Sequence, residues 1–565
     1  MTIAPGRIAA ILRHGTFGLL ALALLCGMLL PVYSDEVGWR FQERAWIDGV
    51  DKLYSDQCGP NTLARPLFFM WPARAYSAFF NTHFADPFYV RVSGVLYALV
   101  WLWLLMRLIA RVAPSRQIAR PLATIACALA GLGVLPLLLV WSRPEQPLLL
   151  CLTTALLIAA NGWSKSPAIP PAPSPSPALA WGRSLAILAL GLVALSYHGK
   201  ALQLIPAFIV AIATASPGRK TLLARIACGL VLTAATAAAT AHWYNRLACT
   251  TDPLIAAQYA HRSFAALRPE NANLGEILLA MAGNYNLARY VQLTAPLVKP
   301  MSQWLVPGQV THAQQAAFQT ALMVLWGVTL AVAVLAALRA LWAARQDWRL
   351  PPALLLALAL FGGISVWCIT QITRNVYESS FVLPVLIIAI VLALSAAHGS
   401  RHLDRATKLL ALALPPAMVA SMTVVAALYA PDLVATTQQR AYLDQHRYSL
   451  PVFGYSSIKP DILGAARQCG LAPDKPASNV MVDDLTYFTF MQSRLPQNQL
   501  GILSRQLRGS LNDPVAYLAE RQSSGAILGC HWLPPELRAR AHQQGRFCCL
   551  APPSSSSGLA SGQTR

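Results

Sequence analysis

The sequence predicts a polytopic α-helical membrane protein with about eleven transmembrane helices and a small α/β domain at its C-terminal end. Three observations carry this. The 565 residues are 56% hydrophobic and 12% charged, with a mean hydropathy of +0.47, where soluble chains carry roughly 25% charged residues. Apolar runs near the ~20-residue bilayer length recur along most of the chain. The basic residues, which make the net charge +21, fall in alternate loops between those runs.

The apolar spans fall near residues 16–33, 88–110, 122–141, 146–161, 178–197, 201–215, 222–242, 318–338, 351–370, 380–397 and 409–429. The spans 146–161 and 201–215 are the weakest. Both are short, and Pro206 interrupts the second. The first run follows a basic start, "GRIAAILRHG", as a cleaved signal would. At about 18 residues it exceeds a typical signal core, and no A-x-A site precedes the acids behind it. It reads as a retained first helix.

With the N-terminus inside, the cytoplasmic loops are 111–121, 162–182, 216–225, 339–350 and 398–408. Four are clearly basic, and the fifth is a Pro/Ser-rich linker with Lys165 and Arg183 near its ends. This is the positive-inside pattern of a bacterial inner (cytoplasmic) membrane protein. It accounts for the basic charge by topology and sets nucleic acid aside as a partner. The C-terminus then lies in the periplasm.

Three regions follow: a transmembrane domain over 1–430, with outer loops 34–87 and 243–317, a periplasmic α/β domain over 431–551 and a disordered tail over 552–565. Strand-like and helix-like stretches alternate in the second region ("NVMVDDLTYF", "DPVAYLAERQS", "GAILGCHW", "PPELRARAHQQG", "RFCCLAP"), as in a small α/β unit. Cys469, Cys530, Cys548 and Cys549 lie on the oxidising side. One disulfide is expected among them, its pairing open, and Cys58 with Cys249 is a second candidate. Free buried cysteines are the alternative. No C-x-x-C or Cys/His spacing marks a zinc site.

The outer face concentrates polar residues. Asp35, Glu36, Glu43, Asp48, Asp51 and Asp56 are six of the 23 acids. The last four suit a solvated amphipathic helix whose Trp39, Phe41, Trp46 and Leu53 face lipid or core. Asp35 and Glu36 differ, because they follow directly on the first span. Short outer loops add Arg143 in "WSRPEQ", His198 and Lys200 in "SYHGK", and Arg374 with Tyr377 in "QITRNVYESS". Each cation alone reads as an interfacial anchor. Three short outer loops each bearing one run against the positive-inside trend and point to an anion, such as a lipid phosphate. Loop 243–317 brings one or two helices and His261, Arg262 and Arg268, which read as a lid.

The order of these features resembles the GT-C superfamily of polyprenyl-phosphate-sugar glycosyltransferases, which includes protein O-mannosyltransferases and lipid A aminoarabinose transferases. "SDE" after the first span matches the acidic pair of that group. "RPLFFMWPARAYSAFF" and "DPFYVRVSGVLYALVWLWLLMRL" match a Pro-containing amphipathic stretch and a helix that starts with an Arg and small residues. "TRNVYESSFVLPVLIIAI" matches an outer loop with Arg and Tyr before a Pro-containing helix. The resemblance covers about residues 15–400. It implies a GT-C-like fold and a hexosyl- or pentosyltransferase acting at the cell envelope.

Its partners would be a polyprenyl-phosphate sugar donor, an envelope glycan, lipid or protein acceptor, and the bilayer. The residues suit that chemistry by themselves. A phosphate leaving group needs cations, and the acceptor hydroxyl needs a carboxylate to take its proton. Asp35 is the expected base, with Glu36 as substitute or as the residue that orients it. Arg143, Lys200 and Arg374 would hold the phosphate, and His198 or Tyr377 would hydrogen-bond it. No cofactor is expected. The alternative is a divalent cation on Asp35, Glu36 and a further acid of the same loop. The rival function is a transporter or flippase of lipid-linked sugars, which predicts charges mid-span and internal repeats; neither is seen in the sequence. A sensor whose active part is the C-terminal domain is the third reading.

Overall fold

The computed structural model describes residues 5–33, 36–37, 67, 71, 75–76, 79–80, 83–84, 86–163, 177–216, 221–248, 273–296, 305, 308–347, 350–371, 375–397, 399–438, 449–474, 480–491 and 525–551. They form two compact units. One comprises residues 1–30, 62–75 and 91–434; the other comprises 31–61, 76–90 and 435–565.

The first unit is helical. Its elements are α1 (Pro5–Cys26), α2 (Pro87–Val112, which begins in the second unit), α3 (Arg116–Ala130), α4 (Leu135–Leu139), α5 (Glu145–Ala160), α6 (Pro177–Tyr197), α7 (Ile205–Thr214), α8 (Leu222–Ala248), α9 (Leu274–Asn284), α10 (Leu287–Gln292), α11 (His312–Asp347), α12 (Pro352–Thr370), α13 (Ser379–Ala396) and α14 (Arg401–Ala435). Among the described residues, eight helices are long and apolar enough to cross a membrane. The chain is a multi-pass membrane protein. α13 packs against α3, α5, α11 and α12, and its residues from Ser379 to Ser395 are all buried. A helix apolar on every side belongs at the centre of such a bundle.

Among the described residues, three of the eleven expected spans are shorter or broken helices. α5 and α7 are shorter apolar helices, and a 3-10 turn, Gly199–Leu204, precedes α7. The expected span 122–141 is broken between α3 and α4. Gly133 takes the left-handed conformation there, φ 61°, and a Cβ would clash with the Thr294 carbonyl oxygen. Backbone freed from a helix in lipid needs other partners. Here the Gly133 N–H donates to Ser421 Oγ at 2.7 Å and the Val134 N–H to the Thr294 carbonyl at 2.8 Å.

The second unit is a small α/β assembly. Strands β1 (Val32–Tyr33) and β2 (Ser449–Leu450) pair antiparallel. α15 (Tyr455–Gln468) packs on a four-stranded sheet of β3 (Val480–Val482), β4 (Gly525–Gly529), β5 (His542–Gln544) and β6 (Phe547–Leu550). The strand order is β3-β4-β6-β5, with β3 and β4 parallel and the other pairs antiparallel. A short helix, α16 (Pro535–Arg538), lies between β4 and β5. The pleat sends alternate residues to opposite faces. Val480, Val482, Ile527, Phe547 and Cys549 pack with Ile458, Ile462 and Ala465 of α15. Met481, Ala526, Leu528, Cys548 and Leu550 pack with Leu533 and Leu537 on the other face.

This alternation decides the cysteine chemistry. The neighbours Cys548 and Cys549 face opposite ways, so each takes its own partner. Cys549 bonds Cys469 behind α15, and Cys548 bonds Cys530 at the end of β4. Two disulfides form where one was expected; Cys58 and Cys249 lie outside the described residues.

Candidate functional site

A charged cluster sits at helix ends in the first unit. It begins at the turn between α4 and α5. Pro144 precedes α5, so Glu145 falls in the first helical turn, where the positive end of the helix dipole favours a carboxylate. Glu145 is 1% exposed. Arg143, two residues earlier, turns its Nε onto Glu145 Oε2 at 3.2 Å.

The second cation comes from the turn before α7. His198 caps the 3-10 turn, its Nδ1 accepting the Lys200 backbone N–H at 3.0 Å. A neutral imidazole whose Nδ1 accepts carries its proton on Nε2. The cap directs Lys200 inward, where the residue is 5% exposed and its Nζ donates to Glu145 Oε1. The two cations therefore take one oxygen each of a single buried carboxylate.

Aromatic rings complete the cluster. The Arg143 guanidinium carbon stands 3.9 Å from the centroid of the Tyr377 ring. Lys200 Nζ is 5.3 Å from the Tyr377 ring and 5.3 Å from that of Trp367 on α12. Cation–π contacts of this kind strengthen when water is excluded. Asn375 Nδ2 donates to the Tyr377 hydroxyl at 2.9 Å, and its backbone N–H donates to Glu378 Oε2 at 3.2 Å. Glu378 is 5% exposed and feels Lys200, Glu145 and Arg143.

Of the residues marked in the sequence, Arg143, His198, Lys200 and Tyr377 are brought together. Arg374 and Asp35 lie outside the described residues. Glu36 belongs to the second unit and is wholly buried, its Oε2 accepting the Tyr33 N–H at 2.9 Å. It follows strand β1 rather than a helix end, because the helical first span stops at Leu29. Sequence reasoning missed Glu145, Glu378 and Trp367. The available signal was the rarity of acids: each of these glutamates stands within four residues of an arginine in a short loop between apolar runs.

Two cations at apolar helix ends can hold an anion. A buried charge in a membrane bundle is costly and marks function more often than stability. Among the described residues no three His, Cys, Asp or Glu side chains lie together as a metal donor set.

No protein-family model matches the chain, and no curated protein matches it. Its fold is similar to that of ArnT from Cupriavidus metallidurans bound to undecaprenyl phosphate, with 14% identity and a TM-score of 0.41 over 98% of this chain and 100% of that one. It is similar to the archaeal oligosaccharyltransferase AglB from Archaeoglobus fulgidus in complex with an inhibitory peptide and a dolichol-phosphate, with 13% identity and a TM-score of 0.41 over 97% and 75%. The Archaeoglobus fulgidus oligosaccharyltransferase in complex with Zn and sulfate is similar at 12% identity and a TM-score of 0.38 over 91% and 68%.

Proposed function

We propose that the chain is an integral membrane glycosyltransferase that moves a hexose or pentose from a polyprenyl-phosphate donor to an envelope glycan, lipid or protein acceptor at the periplasmic face. One observation carries the reading: Arg143 and Lys200, from separate turns, converge on one carboxylate and one tyrosine ring at the ends of apolar helices. The basic inner loops and the two disulfides of the second unit support the sidedness. The order of sequence motifs supports the reaction class.

The steps follow from charge. The acceptor hydroxyl attacks the sugar C1, and the Asp35 carboxylate takes its proton. The bond from C1 to the phosphate oxygen breaks, and its electron pair leaves with the polyprenyl phosphate. The donor is a phosphodiester with one negative charge, and the departing monoester gains a second. Arg143 and Lys200 therefore hold the leaving group more tightly than the substrate, which is what accelerates a reaction. Arg374 and the hydrogen-bonding groups His198 and Tyr377 belong to the same clamp. Glu36 orients Asp35 or stands in for it.

The test is transfer of radiolabel from a panel of polyprenyl-phosphate sugars, undecaprenyl and dolichyl carriers among them, into acceptor in membrane extract. The expected result is transfer by the wild type and a fall of about 10²–10⁴-fold in folded Asp35→Asn. Undiminished transfer by the variant moves the base to Glu36. No transfer from any donor overturns the reading in favour of transport.

A further inference from the structure

The turn that carries Arg143 and Glu145 has to be held, and the structure has a residue for it. Arg91 lies one turn into α2 and is 0% exposed. A guanidinium has five N–H donors, and burying it is costly unless they are met. Here they reach carbonyls at the ends of two helical elements. Nε donates to the carbonyl of Leu30, which closes the 3-10 turn Gly27–Leu29 after α1, at 2.9 Å. Nη1 donates to the carbonyl of Val140, which closes α4, at 2.8 Å. Terminal carbonyls lack a partner within their own helix and carry the negative end of its dipole. One fixed fork thus joins the end of the first span to the start of the cation-bearing turn.

The first turns of α2 hold that turn again. Ser93 Oγ and Ser142 Oγ share a hydrogen bond of 2.8 Å. Gly94 lets the backbones close so far that a Cβ there would clash with the Val140 carbonyl oxygen. Gln146 Nε2 returns to the Gly94 carbonyl at 2.9 Å. Residues 140, 142 and 146 are tethered, and Arg143 and Glu145 lie between them.

We infer that Arg91 is a positioning residue for the phosphate clamp: by joining the Leu30 and Val140 carbonyls it fixes the depth at which Arg143 and Glu145 meet Lys200. The inference rests on the reading of Arg143 and Lys200 as that clamp. Arg91 touches no reacting atom. Lysine in its place keeps the charge but offers one nitrogen where the fork offers several at fixed angles.

The experiment compares wild type with Arg91→Lys and Arg91→Met, using the monodisperse fraction of the full chain in nanodiscs. Sugar transfer and binding of undecaprenyl phosphate alone are both measured. The expected result is a rise of about tenfold in donor KM and in lipid-phosphate Kd, the size of one weakened charge-assisted hydrogen bond, with kcat falling as well because the clamp acts on the leaving group, and acceptor KM within about twofold. A merely structural Arg91 would lower the folded yield and leave donor KM where it was, and that result overturns the inference while the transferase reading stands. If the wild type binds the lipid phosphate but transfers nothing, weaker binding by the variants supports the positioning role and the transferase reading alone fails. If the wild type neither transfers nor binds, both fall. Ser93→Ala removes another tether of the same turn and leaves the buried charge in place. It carries the test if the Arg91 variants do not fold, with a smaller rise in donor KM expected and an unchanged KM counting against the inference.

Discussion

Each unit buries one carboxylate of special note, and the two are satisfied in opposite ways. Asp483, 2% exposed, follows β3 in the second unit. Its Oδ1 accepts the Leu485 and Thr486 N–H groups and the Thr486 hydroxyl, and its Oδ2 accepts the Gly529 N–H at 2.7 Å. Every one of these donors is neutral, and most lie within three residues. Glu145, 1% exposed in the first unit, is met by Arg143 of its own turn and by Lys200, 55 residues further along the chain. The first arrangement closes a loop and is complete. The second is built from charge: an arginine and a lysine from separate turns converge on one buried glutamate, with Glu378 buried close by. Neutral donors from the neighbouring chain close a turn, whereas on the clamp reading cations drawn from separate turns serve a second anion.

The sharpest way to break this contrast is to unbalance the cluster. Lys200→Met leaves Glu145 with Arg143 alone, and Glu145→Gln leaves two cations without their shared anion. Removing one partner of a buried ion pair costs about 3–5 kcal/mol. Thermal unfolding should show both losses. The variants then diverge when undecaprenyl phosphate is added at saturation. Glu145→Gln should recover stability, because the lipid phosphate supplies the missing negative charge. Lys200→Met should recover little, having lost half of the clamp. Equal recovery in both variants, or none in Glu145→Gln, would mean that the cluster is structural like Asp483.

The matching change in the second unit should be smaller and deaf to ligand. Asp483→Asn sets an amide NH2 against N–H donors on one side of the carboxylate. An unmet buried group of this kind costs about 1–3 kcal/mol. The expected fall in melting temperature should be the same with and without undecaprenyl phosphate. A rescue by the lipid phosphate would erase the distinction between the two acids.

The same contrast explains what could be read in the sequence. Apolar runs announce themselves residue by residue, so the long spans were legible. The break at Gly133 was not, because its hydrogen bonds go to Thr294 and Ser421 in distant elements. Arg143, His198, Lys200 and Tyr377 stood out as polar residues in short outer loops. Glu145 stands in the same short loop as Arg143, yet its importance depends on Lys200, which only the packing of α5 against α7 and the turn before it brings near. The cysteine pairing depended on strand register, which puts Cys548 and Cys549 on opposite faces.

The smallest expected effect belongs to an acid between these extremes. Asp86 precedes α2 in the second unit, half-buried, and its Oδ1 accepts the Phe88 N–H at 2.8 Å. Burial pushes its carboxyl above the ordinary value, while the Phe88 N–H and Lys459 pull it down by less. The folded state therefore holds the proton more tightly than the unfolded one. Stability falls as pH rises from the ordinary carboxylate range, about 4, through the raised value, and then levels off. Asp86→Asn removes that slope and keeps an acceptor for the helix cap. At pH 7 the variant should be more stable by a few tenths of a kcal/mol, discounted for its partial exposure, and below about pH 4 the difference should vanish. Melting curves at the two pH values decide it. A difference equal at both would assign the effect to the cap and not to the charge. The half-buried acid would then resemble Asp483 in being held by neutral donors of its own turn.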